Sequence, residues 1–173
     1  MRRTVLATGF IIGLLAIADS DLSACGDKSL SAGGIRMQRA LAARYPASIL
    51  IYAPPNSRLI GAAHEMRLQE HLRLVGHRYR EVATDSDLET SVATGQFNIV
   101  LADLADAPAL QQRFASSPAR VVVVPVAYKL TKEQTAQAAK LTRFLIKAPE
   151  YAANYLMTIA DAVHSRSQSP RKA

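Results

Sequence analysis

From Ser48 onward the apolar residues fall into two alternating kinds of run. The stretches SILIYAPP (48–55), FNIVLAD (97–103) and ARVVVVPV (119–126) are β-rich with little polar interruption, the pattern of strands buried on both faces. After the first of them, Leu59, Ala62, Ala63 and Met66 followed by Leu72 and Val75 make an apolar stripe. That stripe predicts one long helix, capped by Ser57 and closed by Gly76. HRYREVAT (77–84) reads as a second strand, and Ser86 with Glu89 as a capping box for a helix that runs through Ala93 and stops near Gly95. A third helix is expected over 109–115, and Thr131 with Gln134 should cap a fourth. LTRFLIKAP (141–149) gives a fifth strand. Pro149 then opens a last helix, with Tyr151, Tyr155, Ile159 and Val163 at helical spacing. Strands alternating with helices through five units predict an α/β fold, a five-stranded doubly wound parallel sheet with right-handed crossovers.

The pattern before Ser48 is different in kind. Arg2 and Arg3 precede an apolar run from Thr4 to Ala18, the layout of an export signal. The run is shorter than the roughly 20 residues of a membrane-spanning helix. Two processing sites compete: Ala16-Ile17-Ala18 suits ordinary signal peptidase, and Leu22-Ser23-Ala24-Cys25 resembles a bacterial lipobox in which Cys25 would be lipidated. The expected organisation is a signal over 1–24, a polar tether with a short basic helix over 25–47, the folded domain over 48–164 and a disordered basic tail over 165–173. The basic helix, IRMQRALAARY, should end at Tyr45-Pro46 and act as a spacer. The location expected is the periplasm or another extracytoplasmic site, with lipid anchoring if Cys25 is modified. A single cysteine excludes an intramolecular disulfide.

Charge adds a restriction. The chain has 21 Lys and Arg against 14 Asp and Glu, but Ser48 to His164 holds twelve basic against eleven acidic residues, so the excess lies outside the predicted fold. Nucleic-acid binding needs a basic face on the fold itself, and none is expected.

The element order and two motifs of 48–164 resemble the receiver domain of bacterial response regulators. FNIVLADLADAP resembles the third strand of that family with its phosphoacceptor, and RFLIKAP the fifth strand with its phosphoryl-contacting lysine. The resemblance implies a flavodoxin-like strand order 2-1-3-4-5, with Asp103 as acceptor and Lys147 as its phosphoryl contact. Two departures bear on the chemistry. Where the family places an acidic pair after the first strand, this chain has Ala53, Pro54, Pro55 and Asn56. Where the family ends its fourth strand with Thr or Ser, Pro125 and Val126 stand. Magnesium wants several oxygen ligands, so the comparison implies a degenerate phosphoacceptor site, with Asp103 held by Lys147 as an ion pair.

Other constellations reduce to structure. HEMRLQEH has Leu68 where the zinc-protease motif needs histidine, so His64, His71 and His77 read as surface residues. Asp85, Asp87 and Glu89 suit a helix start. No phosphate-binding glycine loop follows the first strand and no G-x-S-x-G motif occurs. The expectation is a non-enzymatic module without cofactor or metal, acting on a protein partner or a second copy through Tyr128, Lys129, Tyr151 and Tyr155. Membrane contact is expected only through a lipid anchor. Two alternatives stay open: a single-lobe small-ligand binder whose site is lined by Pro54, Asn56, Asp103 and Lys147, and an active phosphoacceptor.

Overall fold

The computed structural model describes residues 32 to 168. The expected signal over 1–24, Cys25 and the end of the basic tail lie outside the described residues. The elements in chain order are α1 (Ala32–Arg44), β1 (Ser48–Tyr52), α2 (Leu59–Glu65), α3 (Leu68–Val75), β2 (Arg78–Val82), α4 (Asp85–Ala93), β3 (Ile99–Asp103), α5 (Ala107–Phe114), β4 (Val122–Tyr128), α6 (Lys132–Leu141), β5 (Ile146–Ala148) and α7 (Ala152–Gln168). The five strands are parallel, in the order β2-β1-β3-β4-β5.

Burial on both faces explains the unbroken apolar runs. Ile49, Ile51, Ile99, Leu101, Val124 and Val126 point to one face, under α1, α2, α3 and α7. Their neighbours Leu50, Tyr52, Val100, Ala102 and Val123 point to the other, under α4 and α5. Pro125 sits inside β4 without costing a ladder bond. The Val126 carbonyl accepts from Leu104 N on the β3 side, so the nitrogen of Pro125 faces β5, whose pairing begins only at Val126–Ile146.

The predicted caps are met in part. Thr131 and Gln134 form the expected capping box of α6. At α4 the cap is Thr84 rather than Ser86: its hydroxyl accepts from Asp87 N, and the helix begins at Asp85. Pro149 precedes the last helix without opening it, since α7 starts at Ala152.

Three larger differences from the sequence pattern share one region. The expected long helix is two helices, broken at Met66 and Arg67, where Arg67 takes a left-handed conformation (φ 47°). The break frees the Met66 carbonyl, which accepts from the Tyr155 hydroxyl (3.0 Å) of α7; that hydroxyl also lies 2.5 Å from His71 Nδ1. The basic helix is no spacer. Ala42 is part of the core, Gln38 is buried, Arg39 Nε donates to Leu74 O (2.9 Å), and the Tyr45 and His164 rings meet edge to face at 4.9 Å, so α1 docks on α3 and α7. Residues 165–168 of the expected disordered tail continue α7, where Arg166 donates to the Ala119 and Arg120 carbonyls at 3.2 and 2.8 Å.

Two of the three histidines read as surface residues are not so placed: His71 is half-buried, and His77 is 6% exposed. Ala47 N donates to His77 Nδ1 (3.3 Å) at the junction of α1 and β1. Burial pushes the His77 imidazole down to about 4. The unfolded chain therefore takes up this proton near its ordinary pKa of about 6.5 while the folded chain does not. Stability should fall as pH drops from about 6.5 towards 4, by about 3 kcal/mol from this group. Urea unfolding across that interval, compared with His77→Gln, checks it: the variant should lose this part of the pH dependence, and parallel curves would contradict it.

Candidate functional site

Parallel strands bring their carboxyl ends to one edge, and the loops after β1, β3 and β4 form a cleft there of about 700 Å³. Pro54, Asn56 and Asp103 line it as expected of a ligand edge, together with Tyr52, Asp106 and Tyr128. Lys147 does not. It is exposed on β5 outside the cleft, and among the described residues no ion pair joins it to Asp103.

The Asp103 carboxylate has other partners. Oδ2 accepts from Arg58 N (2.8 Å), the residue immediately before α2, and Oδ1 accepts from Ala105 N (3.2 Å) in its own loop. A carboxylate at a helix start satisfies donors the helix cannot use and meets the positive end of its dipole. The aspartate that the sequence aligns with a phosphoacceptor is here a helix cap supplied from a neighbouring strand.

Beside it lies a second acidic group of a different kind. Tyr52 OH donates to Asp85 Oδ1 (2.7 Å), and Arg113 Nη1 lies 3.4 Å from the same oxygen and 3.5 Å from Glu89. Burial, followed by the bond to Asp85, pushes the Tyr52 phenol up to about 12. The Tyr52 bond and then Arg113 hold the Asp85 carboxyl below its ordinary range. The Asp106 carboxyl is raised, first by burial and then by the charges of Asp103 and Asp85. Local pattern marks Asp85 only as a helix-start residue; the strand alternation that puts the Tyr52 ring among the α4 and α5 contacts is the signal that locates its partner.

Receiver chemistry implies magnesium, and the donor set does not fit it. Both Asp103 oxygens hold backbone amides, Ala53 to Pro55 offer no side-chain oxygen, and no three His, Cys, Asp or Glu side chains among the described residues come together as metal ligands.

The expected partner residues divide. Tyr128 and Lys129 converge on Glu65 of α2, with Tyr128 OH donating at 2.7 Å and Lys129 Nζ at 2.6 Å; the hydrogen bond to Lys129, then that from Tyr128, lowers the Glu65 pKa, and the bond to Glu65 raises that of Lys129. The Tyr128 ring lies against Gly61, where an added Cβ would be 3.3 Å from it. Tyr151 is 61% exposed, as a contact residue requires. Tyr155 is fully buried and is removed from the partner face; its hydroxyl is spent on Met66.

With this geometry in view, the relatives are structural. The signal receiver domain of a putative Luxo repressor protein from Vibrio parahaemolyticus superposes with a TM-score of 0.50 at 11% identity, over 70% of this chain and 93% of that one. The signal receiver domain of a modulated diguanylate cyclase from Desulfovibrio desulfuricans G20 does so with a TM-score of 0.50 at 18% identity, over 72% and 99%. No family model and no curated protein matches the sequence. The chain shares the fold of these receiver domains, a five-stranded parallel sheet in the flavodoxin-like order 2-1-3-4-5.

If Asp103 serves as a cap, Asp103→Ala should cost about 1 to 2 kcal/mol in urea unfolding. An unchanged midpoint would mean that neither amide depends on it.

Proposed function

We propose that this is a non-catalytic receiver-like module in which phosphorelay chemistry has been lost, exported from the cytoplasm and working through protein contacts. The observation that carries the reading is the use of Asp103 as a helix cap: both its oxygens bind backbone amides, next to a loop that holds Pro54, Pro55 and Asn56 in place of carboxylates. A phosphoryl group on Asp103 would compete with one of those amides for its oxygen, beside a loop without the carboxylates that would hold a charge-offsetting cation. The amino-terminal Arg2, Arg3 and the apolar run that follows support export. Among the described residues no helix is long and apolar enough to cross a membrane.

The contact surface we assign is the edge formed by α6, β5 and α7. Leu141 (78% exposed), Tyr151 (61%) and Met157 (48%) are large apolar residues left uncovered there, beside an edge strand whose outer backbone is unpaired. The second reading, a small-ligand binder, is favoured by the cleft at the carboxyl edge, with Pro54, Asn56 and Asp103 as its walls.

Titration of the purified protein with magnesium and beryllofluoride, followed by amide spectra, should produce no saturable shift at Asp103. A saturable shift abolished by Asp103→Asn would restore the phosphoacceptor reading. A photo-crosslinker placed at Tyr151 should capture one discrete protein, a partner or a second copy, in the extracytoplasmic fraction. Leu141→Ala should weaken that contact by about 1 to 2 kcal/mol. Capture confined to the cytosol would contradict export.

A further inference from the structure

The near neutrality of the folded domain conceals a separation of charge. In a parallel sheet each strand starts at one edge and each crossover helix returns to it, so residues distant in sequence share that surface. At this amino edge the last turn of α3 brings Arg73, the first residue of β2 is Arg78, and α1 adds Arg36, Arg39 and Arg44; all five are exposed. They are knit together locally. Arg39 reaches the Leu74 carbonyl (2.9 Å), Arg78 donates to Ser48 Oγ (3.3 Å), and the guanidinium groups of Arg44 and Arg73 lie 5.5 and 5.2 Å from the ring centres of Tyr45 and Tyr79.

Among the described residues none of the five is joined to a carboxylate. Arg67, Arg113 and Lys129, by contrast, pair with Glu70, with Asp85 and Glu89, and with Glu65, and neither 36–48 nor 71–80 contains Asp or Glu. The acidic side chains Asp85, Asp87, Asp103 and Asp106 lie at the opposite edge, where α4 and α5 begin. Between the arginines, Met37 (56%) and Leu74 (38%) leave apolar surface uncovered.

We propose that this arginine-lined face, made by α1, the end of α3 and the start of β2, docks on a bilayer of anionic lipid. Charge complementarity selects the occupant: guanidinium groups without internal carboxylate partners meet lipid phosphates, Met37 and Leu74 enter the headgroup boundary, and the acidic edge points away from the surface. Chain connectivity agrees. Cys25 precedes Ala32 by seven residues, at most about 25 Å of extended chain, and the apolar run to Ala18 lies just upstream. A lipid held at either place brings this face to the membrane before any other. The inference extends the proposed location and does not depend on Cys25, since the face binds lipid by itself.

The test is co-sedimentation of the purified full chain with vesicles of neutral phosphatidylcholine, and with vesicles in which about a third of the lipid is phosphatidylglycerol. Partitioning onto the anionic vesicles should be the stronger, should fall with added salt, and should drop about fivefold for each arginine removed in Arg36→Gln and Arg73→Gln. Lys132→Gln, remote from the face, should leave it unchanged. Selective binding to anionic vesicles with none to neutral ones would support the docking face while removing the tether. Equal partitioning onto both vesicles, no response to the arginine substitutions, or tighter arginine-dependent binding to duplex DNA than to anionic vesicles would overturn the proposal.

Discussion

The short helix α2 is held at each end and in the middle by side chains from three other elements, and the carboxyl edge of the sheet takes its form from that clamp. Asp103 of β3 receives the amide of Arg58 where the helix begins. The Tyr128 ring of β4 rests on Gly61, and its hydroxyl reaches Glu65 together with Lys129. Beyond the last turn, Tyr155 of α7 takes the Met66 carbonyl that the helix break releases. The first and last of these contacts satisfy backbone groups that a terminus or a break leaves without a helical partner. The carboxyl ends of β3 and β4, through Asp103 and Tyr128, are thereby committed to holding a helix in place.

That commitment separates fold from chemistry. The strand order is that of the receiver domains on which the chain superposes, yet the edge where open parallel sheets place ligands has an aspartate bonded to backbone amides and a lysine that stands outside the cleft. A fold can persist on its core while its site changes, because the core depends on residues such as Leu101 and Val124 that face away from the cleft.

Much of the architecture was legible because it follows from local pattern. Buried strands announce themselves by unbroken apolar runs, and the Thr131–Gln134 box needs only a four-residue window. The break in the first long helix was also written in the chain and was overlooked. From Leu59 to Met66 the stripe keeps helical phase, but Leu68, Leu72 and Val75 resume it with a step of two residues, which no continuous helix permits. The docking of α1 depends on Ala42 and Gln38 meeting α3 and α7, and so few apolar residues in a basic segment carry no sign of a distant partner. The arginine face was hidden for a related reason. Counting charges along the chain averages residues that a parallel sheet sorts to opposite edges. The Asp103–Lys147 pair failed because proximity at strand ends does not fix where a side chain turns when a helix amide is nearer.

The Arg58 amide is the most direct witness to this arrangement, because it belongs to an exposed residue at a loop-to-helix junction and donates to the Asp103 carboxylate. Amide hydrogen exchange of the folded protein should show Arg58 protected, and Asp103→Ala should release it to the rate of an open loop while the amides of β1 and β3 keep theirs. An Arg58 amide that exchanges freely in the unaltered protein would contradict the account, leaving the Asp103 carboxylate available for chemistry.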